Sequence, residues 1–347
     1  MKNYGKTFDK YYVALGTPLC DDAYTIDYQA FRRHVKHFTD CQDFIDIGGA
    51  IIVLPEAGEI FTFTREEKKE LIKIAIEEGK GKLPVFAGVS SFSTRATVDE
   101  AKDAQEIGVD GLFIMPPGGS IDLTSALNKE KNPYAFLNLA KAIAKEVDLP
   151  FIAHAAGAND PVFGSGYPVS ATKKIIQECP NFIGWKMMYA HGPYISVAQT
   201  LRAHEEQGGQ HVGVLCAGAQ LYFDMMNNDL IDGAVSCHWN YSRDINIKLI
   251  KAYQAHDFDA MKHVWIDEGL RELHNAVGFG SEYGFRLHTS FKVVTWLKGL
   301  IPNPYVREPM VQAFKQEVLY FRDVLRRNNM DCISDDEINK VLEKLPV

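Results

Sequence analysis

Lys186 closes an apolar run, Phe182-Ile183-Gly184-Trp185-Lys186, and two methionines follow it. Lysine is seldom buried without a partner, so a lysine at the end of such a run is either paired or put to chemical use. Loss of solvation lowers an amine's pKa, and a neutral amine is the nucleophile that condenses with a ketone or aldehyde to an imine. From position alone two readings stand side by side: an imine-forming lysine, or a buried ion pair with Glu56 or Glu59. His154 ends a second apolar run, Phe151–His154. With an unperturbed pKa of about 6.5 it can shuttle protons near neutrality; the alternative is a core histidine satisfied by backbone. Glu56, in Pro55-Glu56-Ala57-Gly58-Glu59, suits a second acid/base or an acceptor for substrate hydroxyls.

Placing these groups together requires a scaffold, and the chain spells one out. Short apolar runs recur at Tyr12–Leu15, Ile47–Leu54, Val85–Val89, Gly111–Met115, Phe151–His154, Phe182–Lys186, Val212–Cys216 and Gly233–Cys237. Between them lie amphipathic stretches such as Tyr28–Phe38, Arg65–Glu78, Ala96–Ile107, Pro133–Glu146 and Ser170–Glu178, and Ile245–Ala255 follows the last run. Thr64-x-x-Glu67 reads as a capping box for the second of these. Buried strands alternating with helices mean a parallel sheet, and eight such units point to a closed (β/α)8 TIM barrel. No GxGxxG follows the first run, where Gly16-Thr17-Pro18-Leu19 stands instead, and no Walker sequence is present, which argues against a dinucleotide or P-loop fold. Beyond Gln254 the pattern turns wholly helical, with stretches expected at Asp257–Ala276, His288–Leu300 and Glu308–Arg327 and a short helix from Asp335. The expected organisation is a catalytic barrel over residues 1–255 and a C-terminal helical extension over residues 256–347. In such a barrel the reacting groups sit at the C-terminal ends of the strands, where Glu56, His154, Lys186 and His238-Trp239-Asn240 all fall.

Bulk properties exclude other classes. The chain of 347 residues is 46% hydrophobic and carries a formal charge of −8, so it offers no basic footprint for nucleic acid. Its N-terminal stretch lacks the apolar core of a secretory signal, and no apolar run approaches the ~18 residues needed to span a bilayer. Six cysteines are scattered without CxxC pairing and read as reduced thiols. A cytoplasmic location is expected.

The pieces Gly16-Thr17-Pro18, Pro55-Glu56-Ala57-Gly58-Glu59, Val85-Phe86-Ala87-Gly88-Val89 with Ser93-Thr94, Phe113-Ile114-Met115-Pro116-Pro117, Phe182-Ile183-Gly184-Trp185-Lys186 and Asp232-Gly233-Ala234-Val235-Ser236 occur in a specific order and spacing. In both respects the chain resembles the dihydrodipicolinate synthase / N-acetylneuraminate lyase superfamily. The resemblance implies a barrel followed by three C-terminal helices, with Lys186 as the imine-forming lysine. It also implies a homo-oligomer, tetramer or dimer, and lyase chemistry on pyruvate or 2-oxo acids without metal or organic cofactor.

The departures from that family narrow the reading. Its turn after the second strand usually reads Gly-Thr-Thr-Gly-Glu, and the threonines bind the substrate carboxylate. Ala57 here has no hydroxyl, and an ionised Glu56 repels a carboxylate. The family's Tyr-Asn pair after strand five is His154-Ala155, its interface tyrosine aligns with Gly118, and the synthase's arginine has no match in Ala156-Gly157-Ala158-Asn159-Asp160. Gly218 stands where an acidic residue is common. Dihydrodipicolinate synthesis is therefore not expected. The expectation is a Schiff-base aldolase or dehydratase for a 2-oxo acid or related hydroxylated carbonyl compound, such as one from sugar-acid breakdown, with Lys186 as nucleophile, His154 as acid/base and Glu56 as the second. Ala57, Gly118, His238, Trp239 and Asn240 are the expected substrate-binding residues, and Glu59 is expected to hold its turn by accepting backbone N–H bonds. Trp239 has a second reading, packing against the C-terminal helices. Two other functions stay open: a non-catalytic barrel that binds a carbonyl ligand, and a metal site from Glu56, His154 and His238.

Overall fold

The computed structural model describes residues 4–118, 127–155, 166–279 and 286–346. Eight parallel strands close into a barrel in chain order: β1 Tyr11–Ala14, β2 Gly49–Val53, β3 Val85–Val89, β4 Gly111–Ile114, β5 Phe151–Ala153, β6 Phe182–Met187, β7 Gly213–Cys216 and β8 Gly233–Ser236. Closure comes from β1 pairing with β8, Tyr11 opposite Ala234 and Val13 opposite Ser236. Nearly every strand residue is buried, because one face fills the barrel and the other meets the surrounding helices. That is why the strands read as continuous apolar runs and not as alternations.

Helices follow the strands as the amphipathic stretches require. Tyr28–Thr39 is capped by Asp27, which accepts from the Ala30 N–H at 2.8 Å. Arg65–Gly79 opens with the expected box: Thr64 N–H donates to Glu67 at 2.8 Å, and the Glu67 N–H donates to Thr64 Oγ1 at 3.2 Å. Such a cap is worth about 1 kcal/mol.

Three expected helices differ. The stretch Asp257–Ala276 is broken into Phe258–Lys262, a π-turn His263–Asp267 and Leu270–Phe279. Gly269, at φ +78°, makes the break, a conformation that costs glycine little. The stretch expected from Glu308 becomes helical only at Lys315. The helix expected at Ile245 begins at Trp239, two residues after β8, and bends at Ser242. Helices Leu270–Phe279, Leu287–Leu297 and Lys315–Arg327 share an apolar core with Ala14, Ala57 and Cys237 from the barrel mouth, so the C-terminal helices lie against the end where strand-end chemistry belongs. Among the described residues no helix is long and apolar enough to cross a membrane.

The turn after β2 is under visible constraint. Leu54 sits at φ +58° and Glu59 at φ +66°, conformations that cost a side-chain-bearing residue of order 1–3 kcal/mol. The Leu54 carbonyl folds onto β3 so closely that a Cβ on Gly88 would lie 1.8 Å from its oxygen. Only glycine permits that approach, and it aims the next residues, Glu56 and Ala57, across the barrel mouth.

Candidate active site

Strand alternation decides which way Lys186 points. Trp185, its neighbour, faces outward, fully buried, and donates its indole N–H to the Tyr189 hydroxyl at 2.9 Å. The ring that faces the Lys186 amine is Phe113, whose centroid is 5.4 Å from Nζ; Trp185, its neighbour in sequence, lies on the other side of the strand. Burial pushes the Lys186 ammonium below its ordinary range, against the opposing pull of Glu56. Among the described residues no carboxylate forms an ion pair with it, and the alternative partner Glu59 is engaged elsewhere.

His154 stands level with Lys186 on the adjacent strand, since Ala153 pairs with Trp185. It is buried, its ring packs edge-on against Phe113 at 5.2 Å, and its Nε2 lies 3.1 Å from Glu56 Oε2. The angle of that approach is poor, so neither ring nitrogen has a well-aligned partner among the described residues. A core histidine satisfied by backbone would have one. Burial, then the nearby Lys186 amine, lower the His154 pKa despite Glu56, so the ring rests neutral. Burial works to raise the Glu56 pKa, but the His154 contact first, and then the pull of the neighbouring His154, His288 and Lys186 side chains on the anion, outweigh it and hold the carboxyl below its ordinary range. The Phe113 ring therefore contacts both an amine and an imidazole, each biased towards its neutral form, and the Glu56 carboxylate lies against the imidazole.

A cavity of about 210 Å³ opens beside Lys186. Glu56 and Ala57 line it from β2, Ser236, Cys237 and His238 from β8, and Gln220 from the segment after β7. Gly278, Leu287 and His288 line it from the C-terminal helices. A Cβ on Gly278 would lie 1.7 Å from Gln220 Nε2, so the glycine makes room for that amide. His238 is buried, with Nδ1 2.7 Å from Ser236 Oγ and Nε2 without a partner among the described residues; burial pushes its pKa down to about 3. His288 also titrates low, through burial, with Glu56 opposing and Lys186 assisting. It was not among the sequence candidates: its chain position, at the start of an apolar helix about 100 residues after Lys186, carries no signal that the helix returns to the mouth.

The expected substrate-binding residues divide. Ala57 and His238 line the cavity. Gly118 does not; it lies beside the exposed rings of Phe61 and Phe92. Trp239 and Asn240 must be corrected, because the helix starts at Trp239 and rotates both away from the mouth. Trp239 is fully buried between Tyr11 of β1 and Phe44, at ring distances of 6.1 and 5.4 Å, and it packs against the barrel's own elements, not the C-terminal helices. Asn240 is saturated by the scaffold: its amide N–H groups donate to Ala14 and Cys237 carbonyls at 2.8 and 2.6 Å. Its Oδ1 accepts from Gly16 N–H at 2.9 Å and lies 2.7 Å from His34 Nε2. Glu59 also has a structural place, but its partners come from the C-terminal region. Oε1 meets Lys292 Nζ at 2.5 Å and Oε2 accepts the Arg307 N–H at 2.7 Å. Residues 156–160, where the synthase's arginine was sought, lie outside the described residues.

Glu56, His154 and His238 do not converge on one point. Among the described residues the trio with ligand atoms within 4.8 Å of one another is Asp9, His211 and Asp232, at the opposite end of the barrel. These are already partnered: His211 contacts Asp9 at 3.0 Å and Glu205 at 2.8 Å, and Asp232 contacts Arg202 at 2.6 Å.

A family profile described as the Dihydrodipicolinate synthetase family matches residues 7–328. The 4-hydroxy-tetrahydrodipicolinate synthase of Clostridium perfringens is 34% identical over 144 residues, 40% of this chain and 43% of that protein. Its counterpart in Clostridium tetani is 29% identical over 176 residues, 50% and 53% of the two chains. The chain thus spans about half the length of these curated relatives. Among solved structures, dihydrodipicolinate synthase from Aquifex aeolicus superposes with a TM-score of 0.74 at 22% identity, covering 94% of this chain and 100% of that one. A prophage protein of the dihydrodipicolinic acid synthase family from E. coli K12, solved in complex with pyruvate, gives 0.72 at 19% identity over 93% and 99%. At such identities the likeness is one of fold.

Proposed function

The chain belongs to the dihydrodipicolinate synthetase family, and on that premise we propose that it is a Schiff-base-forming lyase, an aldolase or dehydratase, acting on a 2-oxo acid or related hydroxylated carbonyl compound, as in sugar-acid breakdown. The observation that carries the proposal is Lys186, whose amine faces a cavity at the strand ends, is pushed towards its neutral form by burial and has no ion-pair partner among the described residues. Its Nζ lone pair attacks the carbonyl carbon, the carbonyl oxygen leaves as water, and the resulting iminium accepts an electron pair from the neighbouring carbon. In C–C cleavage a base takes the β-hydroxyl proton; in dehydration a base takes the α-proton and the β-hydroxyl departs with a returned proton. Both begin with proton removal, and both Glu56 and His154 rest in basic form. We assign His154 the acid/base role, with Glu56 as the second.

Ala57, which has no hydroxyl for a carboxylate, and the replacement of the family's tyrosine by His154 support a reaction other than dihydrodipicolinate synthesis. No metal or organic cofactor is called for, because the iminium itself is the electron sink. Assembly as a homo-oligomer, dimer or tetramer, belongs to the same proposal; the exposed rings of Phe61 and Phe92 support it, and light scattering would measure it. The function is tested by borohydride reduction in the presence of a panel of carbonyl compounds, followed by mass analysis of the peptide holding Lys186. An adduct on Lys186 that vanishes in Lys186→Met is expected. A folded protein that traps none of the panel would instead be a binding barrel.

A further inference from the structure

Among the described residues the polar lining of the cavity comprises Glu56, Lys186, Tyr189, Gln220, Ser236, His238 and His288, and Lys186 is the one lysine or arginine there. Imine formation converts Lys186 to an iminium carrying one positive charge, and Glu56 already supplies one negative charge to match it. His238 is buried, with no partner for its Nε2 among the described residues, and burial disfavours the cationic forms of His154, His238 and His288 alike. A substrate carboxylate beside the reacting carbon would be a second anion close to Glu56, and the described lining offers no second cation to balance it. A hydroxyl in that position meets the reverse situation. It donates to the Glu56 carboxylate and finds further neutral partners in Gln220 and Ser236.

From this arrangement, and resting on the Schiff-base reading above, we propose that the compound taken by Lys186 carries an uncharged hydroxylated carbon, not a carboxylate, next to its carbonyl. The substrate class is thereby a hydroxyketone or hydroxyaldehyde of the polyol or sugar kind. The modest cavity, smaller than the roughly 300–1,000 Å³ of sites for drug-sized ligands, suits a short carbon chain at the imine. Glu56 acts as the selector: it accepts the hydroxyl's hydrogen bond and repels the carboxylate.

The test compares two methyl ketones of three carbons, 1-hydroxypropan-2-one and pyruvate, in borohydride trapping of Lys186 under equal conditions. Intrinsic carbonyl reactivity cancels when the pyruvate-to-hydroxyketone labelling ratio of the wild type is set against that of Glu56→Gln. The carboxamide keeps the shape and removes the charge; its effect on the lysine's own protonation is common to both ketones. The ratio is expected to favour the hydroxyketone in the wild type and to rise at least tenfold towards pyruvate in Glu56→Gln. Glu56→Asp, which retains the charge, is expected to keep the wild-type preference. A ratio unchanged within twofold by Glu56→Gln, or a wild type that labels better with pyruvate, overturns the substrate assignment while leaving the imine reading intact. Absence of labelling by both ketones, in protein shown by circular dichroism to be folded, overturns the imine reading itself and the assignment with it.

Discussion

Lys292→Met is the perturbation that most directly tests how the turn bearing Glu56 is held. Glu59 and Lys292 meet at 2.5 Å with side chains 0% and 1% exposed, one on the turn after β2 and the other on the helix Leu287–Leu297. At an effective dielectric constant of about 20, two unit charges at that separation attract by roughly 6–7 kcal/mol. Each ion has given up several kcal/mol of hydration to be there, so the intact pair is close to balance and adds little net stability. Removing the cation alone breaks that balance. Glu59 keeps one partner, the Arg307 N–H, but its charge is left in a dry site, and the loss is expected to be about 3–5 kcal/mol. The double variant Glu59→Gln/Lys292→Met removes both charges while the amide oxygen still accepts from Arg307. It should recover most of that loss and stand within about 1–2 kcal/mol of the wild type. Urea unfolding followed by tryptophan fluorescence gives the midpoints and slopes for all four members of the cycle. Two results would refute the reasoning: a cost under about 1 kcal/mol for Lys292→Met, or a double variant whose loss is the sum of the single losses.

Other expectations follow from the same geometry. Lys186 titrates below the ordinary lysine value, and Glu56 is the neighbour that opposes the shift; trapping therefore rises with pH through the Lys186 pKa, and Glu56→Gln moves that midpoint down. A pH series of adduct formation reads this directly, and a midpoint displaced upward would contradict it. His211 is raised from 6.5 to about 9, first by its hydrogen bond to Asp9 and then, against burial, by Glu205. Its contribution to stability is fully present below about pH 6.5 and is lost as pH rises through about 9; in His211→Gln the fall in unfolding midpoint over that window should flatten. Asn240→Ala removes the side-chain partners of the Ala14 carbonyl and the Gly16 N–H, at about 1–3 kcal/mol per buried group, while the Cys237 carbonyl keeps the backbone N–H of residue 240; thermal melts should register a large loss. Trp239→Phe, at a core position, should lower stability yet leave the rate of Lys186 trapping within twofold, whereas a substrate-stacking tryptophan would cost far more in rate.

Much of this protein was legible in its residues alone. The barrel could be read because each parallel strand is buried on both faces and so appears as an unbroken apolar run, and because eight such runs alternate with helical periodicity. Lys186, His154 and Glu56 could be read because a charged or titratable residue at the end of a buried strand is costly without a use. The capping box at Thr64 is a local device, written in four consecutive residues. Tertiary structure alone decided the rest. That Phe113 and not Trp185 faces the Lys186 amine depends on the pleat of β6 and on the register of its neighbours. Trp239 and Asn240 follow the last strand in sequence, but an early helix start turns them into the scaffold, where Asn240 ties β1 to the end of β8. His288 reaches the mouth, and Lys292 finds Glu59, only because the C-terminal helices fold back over it; contacts between groups more than 100 or 200 residues apart leave no periodic trace. Residue types and their spacing were enough to single out Lys186, His154 and Glu56 as candidates at or just beyond strand ends. Packing at long range decided which of them share a cavity and what charge that cavity tolerates.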